Sequence, residues 1–218
     1  YSKALTYAEE EKDYTSCAKI SFELAAINEH QNLRNEMYKY FSKAIEFNQK
    51  SQVLYLRPYR WAYAMYLEDN RINEALEVGR QAVRYVDERS APAEFKALAY
   101  GYYYAVLKRM PNKQKEAVIY KNRIVELLRQ FKTISETNQS DDIATVCYEV
   151  EQYKLAIFFA NQLFTKTDMD SQLDASKIHC YEMLSASYER LGDYPKSLEF
   201  YKEYSTTYVK VLKNMLTL

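Results

Sequence analysis

The chain has 218 residues, 48% of them apolar, and its 30 basic and 30 acidic side chains cancel. That much apolar material excludes a disordered chain, three Gly and four Pro are too few turn-makers for a many-stranded β protein, and the balanced charge excludes a global field drawing the chain to nucleic acid or an anionic membrane. With Ala, Leu, Glu, Lys, Gln and Arg plentiful, the expected class is all-α.

In chain order, "YSKALTYAEEE" reads as the tail of a preceding repeat helix, with its connector ending at residue 16, so the chain is expected to be a segment of something longer. From residue 17 onward, helical patterns alternate with turns. The template is "LGDYPKSLEFYKEY", Leu191 to Tyr204: a helix end, a tight turn at Gly192-Asp193 and a second helix with Pro195 in its first turn. The same arrangement appears in "HQNLRNEMYKYFSKAI", "DNRINEALEVGRQAV", "PNKQKEAVIYKNRIV" and "VEQYKLAIFFANQLF". The aligned second-helix starts are Leu33, Ile72, Gln114, Tyr153 and Tyr194, at intervals of 39, 42, 39 and 41 residues. Three positions on stand Glu36, Ala75, Ala117, Ala156 and Ser197, each followed by an apolar residue. Small-then-apolar at that point predicts a close helix crossing. Another helical pattern lies ahead of each turn, as in Tyr181, Leu184, Ser185 and Tyr188 at i, i+3, i+4 and i+7. The chain therefore divides into helix pairs near 17–55, 56–97, 98–136, 137–177 and 178–218.

This pattern resembles the tetratricopeptide repeat, most clearly in the last unit. Tyr181, Leu184, Ser185 and Tyr188 match its first helix and Ser197 and Tyr201 its second, with Ser replacing the family's Gly and Ala. The resemblance covers residues 17 to 212 and implies a right-handed superhelical solenoid of about five antiparallel helix pairs. A period of about 40 against the usual 34 implies longer helices or linkers. Glu36 stands where a small residue is expected, Glu23 falls on the inner face of its helix, and Glu151-Gln152 and Pro111-Asn112 replace the easy Gly-Asp turn.

In such arrays the first helices line a concave face. Projected onto it are Arg57, Arg60 and Leu67, then Tyr102, Val106 and Arg109, then Asp141, Thr145 and Tyr148, and finally His179, Glu182, Ala186 and Glu189. Of these Arg57, Arg60, Tyr102, Arg109, Asp141, Tyr148 and Glu182 are the candidate ligand-binding residues. Arg binds carboxylates in a bidentate fashion, and Tyr offers stacking area with a polar tip. Of the 23 tyrosines, Tyr59, Tyr63 and Tyr66 follow a core spacing, while Trp61 and Tyr103 are expected to be exposed or to sit between repeats. Asp141-Asp142 reads as helix N-terminal charge with Ser140 or Asp141 as cap. Cys17, Cys147 and Cys180 suit small core positions, and His30 and His179 surface or hydrogen-bonded ones. The sequence holds no nucleophile elbow, P-loop, Rossmann fingerprint or HExxH, and an enzyme, a metal or a cofactor is not expected. No apolar run is long enough to span a bilayer, so membrane insertion by this segment is not expected either.

The segments "KALTYAEEEKDYTSCAKISFELAAI" and "LSASYERLGDYPKSLEFYKEYSTTYVKVL" look like the repeat sensor regions of bacterial membrane-bound regulators with a histidine kinase or helix-turn-helix output. That resemblance implies a periplasmic or otherwise extracytoplasmic ligand- or protein-binding domain in a signal-transduction regulator, with a homodimer among its assemblies. The alternatives are a cytoplasmic peptide-pheromone-binding domain of a transcriptional regulator, and a protein-assembly scaffold. The co-chaperone form of the repeat is excluded because its carboxylate clamp is replaced by Ser21 and Ala25.

Overall fold

The computed structural model describes residues 1–130, 140–166 and 174–216, and among them regular structure is helical throughout. The helices are α1 (Ser2–Glu10), α2 (Tyr14–His30), α3 (Arg34–Lys50), α4 (Arg57–Glu68), α5 (Ile72–Glu88), α6 (Ala93–Leu107), α7 (Gln114–Leu128), α8 (Ser140–Glu149), α9 (Tyr153–Lys166), α10 (Asp174–Arg190) and α11 (Tyr194–Leu216). A 3-10 turn, Pro111–Lys113, precedes α7. By contact the chain divides into two compact units, Tyr1–Tyr120 and Lys121–Leu218. None of the described helices is long and apolar enough to cross a membrane.

Six of the inter-helix turns share one backbone solution. Lys12, Asn32, Asn70, Ser90, Glu151 and Gly192 all sit at positive φ, between 48° and 79°. The residue after each reaches back across the turn: the N–H groups of Asp13, Leu33, Arg71, Ala91, Gln152 and Asp193 donate to the carbonyls of Ala8, Asn28, Tyr66, Val86, Cys147 and Tyr188. This left-handed closure satisfies carbonyls that the ending helix leaves open. Five of the six use a residue other than Gly, which costs about 1–2 kcal/mol at a fully left-handed position and less for Asn. The turn is therefore imposed by what the two helices bury rather than by the turn residue. Pro111-Asn112 takes the 3-10 route instead.

The same turns fix the register. The aligned starts Ile72, Gln114, Tyr153 and Tyr194 are first residues of α5, α7, α9 and α11. Three positions on, Ala75, Ala117 and Ala156 are at most 3% exposed, as a close crossing requires. The first pair corrects the alignment. Leu33 is the N-cap of α3, matching Arg71 before α5, so the buried crossing position is Met37 and not Glu36, which is exposed and paired with Lys39. Glu23, expected on an inner face, is likewise exposed. Cys17 takes the same crossing position after the α1–α2 turn, and Cys147 and Cys180 are also buried.

The extra length beyond a short repeat lies partly in the 51–56 linker. Tyr85 of α5 pins it, its hydroxyl lying 2.8 Å from the Val53 carbonyl and 3.1 Å from Asn48 Oδ1 while accepting the Tyr55 N–H. Asn48, fully buried, donates to the Tyr55 carbonyl at 2.6 Å, and Arg89 reaches the Gln49 and Ser51 carbonyls. A linker without helix needs outside partners for its backbone groups, and these three side chains supply them.

Candidate binding surface

In the first unit, Arg57 opens α4. Its guanidinium lies 5.1 Å from the ring centroid of Phe22 on α2, and Tyr55 and Trp61 meet the same ring edge-on at 6.2 and 6.0 Å. Phe22 is buried, Trp61 and Tyr55 are half-buried and Arg57 is exposed. Burial raises the Tyr55 phenol above its ordinary range, and the Arg57 charge beside it acts in the opposite direction. The first turn of α4 holds no acidic residue, so the positive helix end and the Arg57 charge fall side by side without a counter-charge in that turn. Pro58 in the same turn is tolerated because its missing N–H would have had no helical partner. Arg60, one turn on, is half-buried and engaged within the protein.

Tyr102 does not line an open face. It is 4% exposed and stacks on Tyr63 at 5.0 Å, closing α4 against α6. The reason lies in α6 itself, where ten of fifteen residues are buried, Val106 among them; a helix apolar on all sides has no face left for a ligand. Tyr103, expected to be exposed or to sit between repeats, is buried at 2% and packs against Gly79 of the preceding helix pair. Its hydroxyl donates to Glu116 at 2.6 Å and its ring meets Tyr120 edge-on. Burial, reinforced by Glu116, pushes its phenol up to about 12 despite the opposing pull of Arg80. Arg109 is exposed just past the end of α6, where a cation also suits the negative helix end.

In the second unit, Asp141 is 5% exposed and faces inward: its Oδ1 accepts the Asp142 N–H, and its carbonyl accepts the Thr145 hydroxyl at 2.8 Å. It is therefore a packing residue of α8 and not a groove residue. Both Ser140 and Asp141 lie inside α8, and the cap position before them is outside the described residues. Thr145 also lies 2.7 Å from His179 Nε2, and His179 Nδ1 is 3.6 Å from exposed Glu182. With the Thr145 hydroxyl donating to a helix carbonyl, it accepts from the imidazole, so the trio clasps α8 to α10 rather than activating a nucleophile. The His179 imidazole beside it holds the Glu182 carboxyl below its usual range. Tyr148 is half-buried against Tyr153, 5.6 Å away, and hydrogen-bonds Arg190.

The seven candidates thus separate. Arg57 and Arg109 are exposed cations of the first unit, Arg57 resting against Phe22 and Tyr55; Arg60, Tyr148 and Glu182 are more enclosed by or bonded to protein neighbours, and Tyr102 and Asp141 belong to packing. Sequence projection missed Phe22, whose ring organises Arg57, Tyr55 and Trp61; its only signal was an aromatic on the helix before. A cleft of about 330 Å³ between α3, α4 and α5 is lined by Glu46, Glu74 and Glu77, each already paired with Lys50, Arg71 or Arg80 on its own helix or cap.

No protein-family model matches the sequence, and no curated protein does. Among solved structures the chain is similar to BtubC (BKLC) from P. vanneervenii, at 13% identity and a TM-score of 0.57, over 96% of this chain and 89% of that one. It is also similar to a putative kinesin light chain of nearly identical TPR-like repeats from Podosopora anserina, at 16% identity and TM-score 0.46, over 88% and 95% of the two chains. The MamA protein follows at 13% identity and 0.39, over 90% and 94%. The fold is all-α and of the tetratricopeptide-like repeat type.

Proposed function

We propose that this repeat domain binds a protein or peptide partner, without catalysis of its own, and that Arg57 on the Phe22, Tyr55 and Trp61 cluster is the anchor for an acidic group of that partner. The observation that carries the reading is the pairing of an exposed guanidinium, held over an aromatic ring, with a helix N-terminus whose own first turn holds no acidic residue. Both attract an anion, and Trp61 beside them offers apolar area to the residue carrying it. Arg109 extends the cationic character of the same unit. Selection of a random peptide library on the protein tests this: the recovered sequences are expected to be rich in Asp and Glu. Arg57→Ala should weaken the best of them by roughly 10- to 100-fold, the worth of a charge-assisted hydrogen bond of about 1.5–3 kcal/mol. Selected peptides that bind Arg57→Ala as tightly as the unaltered protein would defeat the assignment.

The two stretches that resemble bacterial sensor regions fold alike. Lys12-Asp13 and Gly192-Asp193 make the same left-handed turn, and each Asp caps the next helix, Asp13 accepting the Ser16 N–H and Asp193 the Lys196 N–H. On that resemblance we read the chain as the ligand-sensing part of a bacterial regulator, placed outside the inner membrane, with binding biasing one of two states of the protein. A cytoplasmic pheromone receptor and an assembly scaffold are the alternatives. Alkaline phosphatase fused after residue 218 in the full-length bacterial protein should be active if the domain is extracytoplasmic, and inactive if it is not.

A further inference from the structure

The last helix carries apolar residues that stand exposed among the described residues of its unit. Phe200 turns toward α10, where it stacks on Tyr188 at 5.6 Å and Ser197 hydrogen-bonds Ser185, while half-buried Tyr204 lies between the rings of Tyr201 and Tyr208 at 6.0 and 5.9 Å. Beside that face runs a second one. Tyr194, Leu198, Tyr201, Tyr208 and Leu212 are between 42% and 67% exposed, and with Ser205 they follow an alternating four- and three-residue spacing along α11. That is the spacing of a coiled-coil seam.

We infer that this seam is a self-association surface, occupied by α11 of a second copy in antiparallel orientation. Antiparallel pairing about a two-fold axis near Glu203 sets Tyr194 against Leu212, Leu198 against Tyr208 and Tyr201 against Ser205, so every large ring meets a smaller residue. Parallel pairing would stack tyrosine on tyrosine and leave Ser205 facing Ser205. The exposed seam amounts to roughly 600 Å² per chain, which puts a dimer near the lower bound of stable interfaces.

Sedimentation of the 218-residue chain should show a mass rising from 25.9 kDa toward twice that over the micromolar range. Leu198→Glu should hold it at the monomer mass with an unchanged circular dichroism spectrum, since Leu198 is exposed. Mixing Leu198→Cys with Tyr208→Cys chains should give a disulfide between the two variants, the native cysteines being buried. A single monomer up to about 1 mM, a dimer that survives Leu198→Glu, or a Leu198→Cys chain that crosslinks only to itself would each overturn the inference. So would a full-length protein that is monomeric with the seam covered by its own following segment.

Discussion

Helices α5 and α11 leave turns with the same left-handed closure, at Asn70 and Gly192, and both rise from the second position after it. Yet eight of the seventeen residues of α5 are buried, and among the described side chains of α11 none is. Apolar content does not separate them, since α11 is rich in Tyr, Val and Leu. What separates them is company: α5 packs on both α4 and α6, whereas α11 has α10 along one face. An amphipathic pattern states that a helix will be covered; only its neighbours decide on how many sides.

The comparison can be broken most forcefully at Tyr85 and its counterpart Thr207. Tyr85→Ala removes a fully enclosed ring and strands the 51–56 linker, and is expected to cost about 3–5 kcal/mol in urea unfolding. Thr207→Ala, on a helix covered from one side, should stay within about 0.5 kcal/mol. Similar losses at both sites would show that α11 is buried as α5 is.

Next come the crossing positions. Gly79→Leu drives side-chain atoms into the Tyr103 backbone, and Ala156→Leu fills a position with no exposure, so each is expected to lower stability by about 1–3 kcal/mol. Tyr201→Leu, at the position equivalent to Gly79, should leave the monomer unchanged within about 0.5 kcal/mol. An unaffected Ala156→Leu would mean that the repeat register is misplaced in the second unit.

These sites also mark how far the sequence could be read. The period of about 40 and the small-then-apolar pair located the second helices, because both follow from the turn and crossing geometry of a helix pair. Met37 escaped because the first turn has no Gly or Asp and its N-cap is Leu33, which offers no side-chain cap to anchor a one-residue register. Projecting Tyr102 and Asp141 outward assumes that every first helix has an open face; α6 has none, and nothing local in "AYGYYYAVL" distinguishes a helix covered twice from one covered once. The Arg57 surface was half legible: its charge and position were, its Phe22 support from another helix was not.

The packing around α6 has an alkaline signature. Tyr103, raised to about 12 in the folded protein, ionises near 10 in an unfolded chain. The folded state holds this proton more tightly, so the associated stability is fully present below pH 10 and is lost as pH rises through about 12. In Tyr103→Phe the part of the alkaline stability loss between those limits should disappear, as followed by unfolding at stepped pH. An unchanged alkaline limb would place that loss on other buried phenols, such as Tyr38 or Tyr59, which burial also raises.

The smallest effects belong to the turns, where the two hairpins differ only in chemistry. Glu151 holds φ at 64° before α9 and Gly192 holds 79° before α11. A Cβ on Gly192 would meet nothing within 4 Å, so Gly192→Ala isolates the backbone cost, expected at about 1 kcal/mol. Glu151 carries the opposite debt along with an exposed ion pair to Lys121 at 2.7 Å, which is worth between about 0 and 1 kcal/mol. Comparing Glu151→Gly with Glu151→Ala cancels the ion pair, since both variants lose it, and leaves the conformation alone. Glu151→Gly should be the more stable of the two by about 1 kcal/mol in thermal unfolding, nearly mirroring the loss at Gly192. Equal stabilities would mean that the alanine variant relaxes to a right-handed turn, and that the buried faces of α8 and α9 do not impose the left-handed one.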